Sequence, residues 1–451
     1  MAEPDFRTPE RPHAAAQTGD EHTADPADPD RRADRPAAAD PDPVRASARA
    51  GRVVLWEESA RDGAQAKTLM SAEFRIRLAR AHGALFGADG PRHVVFAAGF
   101  PAVGPQEWEA VRRVADEAAG SVAVAAVCRS AEPDVRQALA AVRGSAGARI
   151  MIVVPASEAM AATMLHRTAR EALELALDLL KSAKDRHPEI AVDLCLADGL
   201  RADVGLVAAH AQRATEAGAG VVVLADTVGD RLPGQISALF GAVGGRVDDE
   251  VVLASHLHND LGLGLANTLA ALHKGVRVLS SSWLGLAERS GMVATEQLMF
   301  LLTQRAADLL DTGFEPWWTT PDLTGLPAIA HMVSEHTATP LTVTTPIVGT
   351  GVGTLSTGTP FVRPELFQPF DPLAVLGITP QPVLTHLASA RVVTAVAARL
   401  GHRLDGPQAR AAMRWVKDEA YRSGRALVPD RLFAGWLAGL AAGEDEESPR
   451  S

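Results

Sequence analysis

Two histidines one residue apart carry the most chemical information in this chain. They are His256 and His258, in the run Val251-Val-Leu-Ala-Ser-His-Leu-His-Asn-Asp-Leu-Gly262. If Val251 to His256 is a buried strand, side chains alternate across it and positions 256 and 258 project the same way. Two imidazoles on one face can grip one metal ion; the alternative is a strand end with two solvated histidines. A second cluster, Glu57-Glu-Ser-Ala-Arg-Asp-Gly-Ala-Gln65, favours the ion. It supplies a carboxylate for a cation and an arginine for an anionic substrate.

Holding such groups together takes a scaffold. The chain has 451 residues, 47% of them apolar, enough to bury a large core. From Val53 onward short β-branched runs alternate with stretches of helical period. The spacing predicts eight strands, at Val53–Trp56, Val94–Ala97, Val122–Val127, Ile150–Val154, Ala191–Leu196, Val221–Leu224, Val251–Ser255 and Val276–Ser280. It predicts helices over Ser71–Leu85, Pro105–Ala118, Ala169–Ala183, Asp203–Ala217 and Leu261–His273, several opened by Ser, Pro or Asp. Asn259 and Asp260 are expected to cap the last of these. Eight strand–helix units over roughly 250 residues specify a (β/α)8 TIM barrel better than an open sheet. Chemistry in such barrels sits at the carboxyl ends of the strands. Arg61 and Asp62 follow the first strand, His256 and His258 end the seventh, and Glu288 and Arg289 follow the eighth, so closure brings them to one mouth.

Around the barrel, assigned to residues 51–311, the composition shifts. Residues 1–50 are dominated by Ala, Asp, Pro and Arg and read as a disordered tail. Pro, Thr and Gly crowd the stretch 312–372, read as a linker subdomain of short elements in which Trp317 and Trp318 serve as apolar anchors. Helical patterning returns over 380–400 and 406–442, giving a small, mostly helical C-terminal subdomain at 373–442 and a polar tail at 443–451. The net charge of −11 and pI near 5.7 argue against a nucleic-acid or anionic-membrane partner. No stretch approaches the roughly 18 apolar residues of a membrane span. Cys128 and Cys195 lie in apolar runs, as small buried hydrophobes of a reducing cytoplasm.

Taken in order, the motifs resemble those of the metal-dependent condensing enzymes of the isopropylmalate synthase and homocitrate synthase type. These belong to the wider DRE-TIM metallolyase superfamily, which includes hydroxymethylglutaryl-CoA lyase. The family's opening motif, usually Asp-Thr-Thr-Leu-Arg-Asp-Gly-Glu-Gln, corresponds to residues 57–65 here. Ala98-Gly-Phe-Pro-Ala102, Asp226-Thr-Val-Gly229, His256-Leu-His-Asn-Asp-Leu-Gly262 and Gly285-Leu-Ala-Glu-Arg-Ser-Gly291 follow in family order. The resemblance implies a divalent cation (Mn, Co, Zn or Mg) held by Asp62, His256 and His258, with Arg61 steadying a developing oxyanion. It implies that Thr227 touches the carboxylate of a 2-oxo acid, that Arg61, Gln65 and Arg201 also bind substrate, and that Asp198 and Glu288 join Arg61 in the catalytic set, Glu288 near the acyl-CoA end. The implied reaction is a Claisen-type condensation of acetyl-CoA with a 2-oxo acid in a cytoplasmic homodimer.

Several positions depart from the pattern. Leu284 and Met292 stand where asparagines are common, Ala197 where a glutamate is, and Thr354-Leu-Ser-Thr-Gly-Thr-Pro360 and Phe367 where a His-x-Ser-Gly-x-His segment and a tyrosine assist proton transfer. His331, His336 and His386 are potential substitutes. These losses imply a relative devoted to another 2-oxo acid, of the citrate-forming or phosphinomethylmalate- or phosphonomethylmalate-forming kind. The rival readings are a metal-dependent lyase or aldolase acting on a 2-hydroxy acid, and a catalytically silent barrel with a binding or regulatory role. No cysteine lies beyond Cys195 to serve a lyase, and retention of Arg61, Asp62, His256 and His258 favours activity.

Overall fold

A computed structural model of the protein describes residues 40–65, 67–310 and 313–442. Eight parallel strands close into a barrel in chain order: β1 Val54–Glu57, β2 Val94–Gly99, β3 Ala123–Arg129, β4 Arg149–Pro155, β5 Ala191–Ala197, β6 Ala219–Asp226, β7 Leu253–Leu257 and β8 Val278–Ser281. β8 pairs with β1, Val54 opposite Val278 and Glu57 opposite Ser281. This is the expected TIM barrel, with helices around it and a helical C-terminal region. The strands are apolar on both faces because both are covered. Val54, Trp56, Ala97, Val127, Val223 and Ala254 fill the interior, while Leu55, Phe96, Val124, Ile152 and Leu224 pack outward under the helices.

Every expected strand is present, with ends shifted by at most two residues; β7 starts at Leu253 rather than Val251. Ser71 and Asp203 cap helices Ala72–Ala84 and Val204–Glu216 through their side chains, as their types predict. The helix after β7 runs Gly264–Leu272, later than expected. Asn259 does serve its start, Oδ1 accepting from the Gly264 N–H at 2.7 Å, but Asp260 turns away to Arg289.

Within the stretch read as an N-terminal tail, residues 43–49 form a helix, Pro43–Arg49, capped by Asp42. Val44 and Ala48 join the interior core at the barrel's N-terminal end, and Asp42 Oδ1 accepts from Arg149 Nη1 at 2.6 Å. Arg149 is itself buried and paired with Asp193 through Nε and Nη2, at 2.9 and 2.7 Å. The remainder of that tail up to residue 39, and the polar tail at 443–451, lie outside the described residues.

Beyond the barrel, the stretch read as a linker contains a 12-residue helix, Leu326–Thr337, whose Leu326, Ile329, Ala330 and Val333 extend the outer core. Trp317 is buried against Phe86 and His93, whereas Trp318 is partly exposed between Arg52 and Arg92. The helical run expected over 406–442 is two helices, Gly406–Ser423 and Asp430–Ala442. Gly424, at φ +64°, ends the first in the left-handed conformation that glycine adopts freely. Those helices and Ala390–Arg399 enclose a separate core around Val393, Val416 and Phe433.

Candidate metal and substrate site

After β1 the chain doubles back. The Glu58 carbonyl accepts from the N–H groups of both Arg61 and Gly63, at 3.0 and 2.9 Å. A Cβ on Gly63 would sit 2.5 Å from the Ser59 carbonyl oxygen, so the turn requires glycine there. The result places Arg61 and Asp62 over the carboxyl end of β1. On β7, His256 and His258 follow Ala254 in side-chain parity and point into the barrel mouth.

These groups meet. One ligand atom from each of Asp62, His256 and His258 lies within 4.8 Å of the others, and all three residues are buried. Asp62 Oδ2 is 3.6 Å from Nε2 of both His256 and His258. That oxygen and the Nδ1 atoms of both histidines are buried without a hydrogen-bond partner. Buried polar atoms are normally paired, and an orphaned carboxylate oxygen facing the Nε2 atoms of two imidazoles is the donor set of a divalent cation.

Charge is distributed to suit. Burial opposes ionisation of Asp62, but Arg61 and the two histidines outweigh it and hold the carboxyl well below its usual range. Burial pushes His258 down to about 4, leaving the imidazole neutral with a lone pair to offer. Arg61 is fixed by Glu58, Nε to Oε2 and Nη2 to Oε1 at 2.8 Å each, and its Nη1 stands 3.6 Å from Asp62 Oδ1. Glu58 is fully buried and also lies 3.5 Å from His256 Nδ1. Glu57, which could have been solvated, is buried on the outer side of β1 and accepts from the Ser59 hydroxyl and N–H.

The other expected residues form a neighbouring group at the ends of β5 and β6. Asp198, at φ +58°, accepts from Arg201 through both carboxylate oxygens, at 2.7 and 3.0 Å, and from the Ser157 hydroxyl. Its own N–H donates to Thr227 Oγ1 at 2.8 Å. Asp198, Arg201 and Ser157 line a cavity of about 380 Å³. Gln65 is exposed in the turn, and Glu288, half exposed, lies 3.7 Å from Arg289. The two sets are stitched by Arg289, which the sequence places at the mouth without giving it a role. It donates to both Asp260 oxygens at 3.0 Å and to the Thr227 carbonyl at 2.6 Å. Its position directly after Glu288 in the eighth-strand motif was the available signal. Met292, in the place of an asparagine, pairs in a β-bridge with His258.

Of the histidines named as substitutes, His336 stacks on Phe74 with ring centres 3.7 Å apart, His331 is exposed, and His386 meets Tyr421 edge-on at 6.0 Å. Phe367 is exposed. Cys128 and Cys195 are buried and free, as expected. Among the described residues, no helix is long and apolar enough to cross a membrane.

Comparison with known proteins agrees with this geometry. Residues 52–333 match the family model described as HMGL-like. A 2-isopropylmalate synthase of Heliobacterium modesticaldum is 33% identical over 257 residues, covering 56% of this chain and 48% of that protein. One from Nitrobacter winogradskyi is 30% identical, covering 66% and 55%. The chain thus spans about half the length of the curated relatives it matches. The crystal structure of hydroxymethylglutaryl-CoA lyase from Pseudomonas aeruginosa superimposes with a TM-score of 0.51 at 24% identity, over 63% of this chain and 93% of that one, a likeness of fold.

Proposed function

The chain belongs to the HMGL-like family, and we propose that it condenses acetyl-CoA, or a close acyl-CoA, with a 2-oxo acid in a reaction dependent on a divalent cation. The observation that carries this reading is the convergence of Asp62, His256 and His258 within 4.8 Å, next to a buried, oriented arginine. The relatives named 2-isopropylmalate synthase support a condensing enzyme.

In this reading Asp62, His256 and His258 hold the cation. Once bound it would supply Lewis-acid polarisation of a ketone and an anchor for the adjoining carboxylate. Glu58, Arg61 and Asp62 together carry one net negative charge, so with a dication the site becomes net positive and suits an anionic acceptor. Arg61 spends two N–H groups on Glu58 and retains three of its five donors. Those steady the alkoxide that forms when the methyl carbon of acetyl-CoA, its proton taken up by a general base, bonds to the ketone carbon; the proton on that base then passes to the alkoxide to give the hydroxyl. Thr227 Oγ1 already accepts the Asp198 N–H, which leaves its hydroxyl hydrogen to donate to a substrate carboxylate. Asp198 has both oxygens engaged and therefore shapes the pocket with Arg201 rather than carrying protons. Glu288 and Gln65, more exposed, face the acyl-CoA side. Water then cleaves the thioester, releasing CoA and a 2-substituted malate.

The product follows from the departures. Phe367 in place of a tyrosine and Thr354–Pro360 in place of the histidine segment stand against plain isopropylmalate synthesis. They favour an oxaloacetate-like acceptor, as in citrate-forming or phosphinomethylmalate- and phosphonomethylmalate-forming enzymes of specialised metabolism, working as a cytoplasmic homodimer. The test is free thiol release from acetyl-CoA across a panel of 2-oxo acids. Release should require both the acceptor and a divalent ion and be abolished in Asp62→Ala. Cleavage of a 2-hydroxy acid with no release from any acceptor would overturn the reading.

A further inference from the structure

Glu58 lies between the two halves of the site. It is fully buried at the end of β1, in the interior side-chain parity of Val54 and Trp56. One side of its carboxylate is closed by the fork of Arg61, at 2.8 Å to each oxygen. From the other side Oε1 faces Nδ1 of His256 at 3.5 Å. The two nitrogens of that imidazole are therefore divided: Nδ1 toward Glu58, and Nε2 toward Asp62 Oδ2 at 3.6 Å. Nδ1 makes no hydrogen bond among the described residues, so Glu58 is the acceptor brought nearest to a buried group that needs one. An approach of a few tenths of an ångström completes the bond.

We propose that Glu58 is a positioning residue that holds His256 with its proton on Nδ1 and its Nε2 lone pair directed at Asp62 and His258, while its opposite edge locks Arg61. The idea rests on the reading that those three residues hold a divalent cation. A carboxylate behind a ligating imidazole fixes ring orientation and tautomer and raises the basicity of the donor nitrogen. Here the same carboxylate also orients the arginine, so the metal side and the oxyanion side share one anchor. Glu58 touches neither reacting atom. In the opening motif of the resembling enzymes this position is usually threonine, too short to span both partners.

The test is Co²⁺ affinity, read by visible absorption on metal-depleted full-length protein, for the parent, Glu58→Gln, His256→Ala, His258→Ala and the two double variants. Glu58→Gln keeps the shape and one acceptor oxygen, and its thermal melt reports whether the fold survives. The expected result is a fall in affinity of roughly 10- to 100-fold in Glu58→Gln. That penalty should persist in the His258→Ala background and vanish in the His256→Ala background, where no ring remains to position. A penalty of equal size in both backgrounds would mean that Glu58 acts only through its charge and would overturn the proposal, as would parental affinity in Glu58→Gln. In either case the cation site itself stands. Failure of the parent to bind Co²⁺ would sink the cation site and the positioning role together.

Discussion

At the scale of single residues, the site depends on a division of labour among four charged groups within one short turn. Glu57 and Glu58 are adjacent in sequence, yet strand parity sends them to opposite sides of β1. Glu57 goes outward, where burial pushes its carboxyl up to about 7, and Glu58 goes inward to Arg61 and His256. Arg61 is more than a positive charge here, because its planar fork matches the Glu58 carboxylate. Lysine would keep the charge and lose the geometry. Arg61→Lys should therefore lower turnover roughly 10²- to 10³-fold, by the measure of losing one oriented oxyanion donor, while Co²⁺ affinity stays near the parent's. Steady-state kinetics beside a metal titration would check it; unchanged turnover would remove Arg61 from the chemistry. Asp62→Ala should remove both metal binding and turnover, since among the described residues no other carboxylate joins the two histidines in the cluster.

At the scale of elements, the local period of the sequence carried the reading. All eight strands were legible because each is a short β-branched run, and the histidine pair because side chains repeat every two residues along β7. What escaped were contacts between distant segments. The helix Pro43–Arg49 has one large apolar residue, Val44, and is tied down by a pair between Asp42 and Arg149, 107 positions apart, which no local pattern announces. Parity turns Glu58 inward, but at the rim of the barrel an inward carboxylate is either solvated or paired, and only its contacts with Arg61 and with His256, the latter distant in the sequence, decide which. Asp198 was read as catalytic and Arg201 as a separate substrate contact, but three-residue spacing in a tight turn pairs them with each other.

The start of helix Thr295–Gln304 gives an element-scale prediction. Its Glu296 is fully buried, Oε2 accepting from the Leu284 N–H at 3.1 Å and Oε1 unpartnered. Burial pushes its carboxyl from 4.5 up to about 7. A raised folded-state value means that the neutral form is the one folding favours. Its contribution is complete below about pH 4.5 and is lost as pH rises through about 7. Glu296→Gln, neutral at every pH, should match the parent near pH 4.5 and exceed it by about 1 to 3 kcal/mol at pH 8 in denaturant unfolding. A gain equal at both pH values would contradict the assignment.

At the scale of the whole molecule, the barrel separates stability from chemistry along its axis. The carboxyl ends of β1, β5, β6 and β7 carry Asp62, Asp198, Thr227 and the histidines, while the opposite end is closed by Pro43–Arg49 and by the buried Arg149–Asp193 pair, which Asp42 joins from the rim. Removing Arg149 leaves the fully buried Asp193 carboxylate without its cation and takes one partner from Asp42. Arg149→Ala should cost roughly 3–5 kcal/mol in denaturant unfolding while the folded fraction keeps parental Co²⁺ affinity. Loss of affinity in the folded fraction would show that the two ends are coupled. The most direct test of the account is anomalous diffraction from crystals of the full chain grown with Mn²⁺. It should show one strong peak bonded at about 2.0–2.3 Å to an oxygen of Asp62 and a nitrogen each of His256 and His258. A data set with no peak among those three side chains, from protein that still releases thiol from acetyl-CoA, would contradict it.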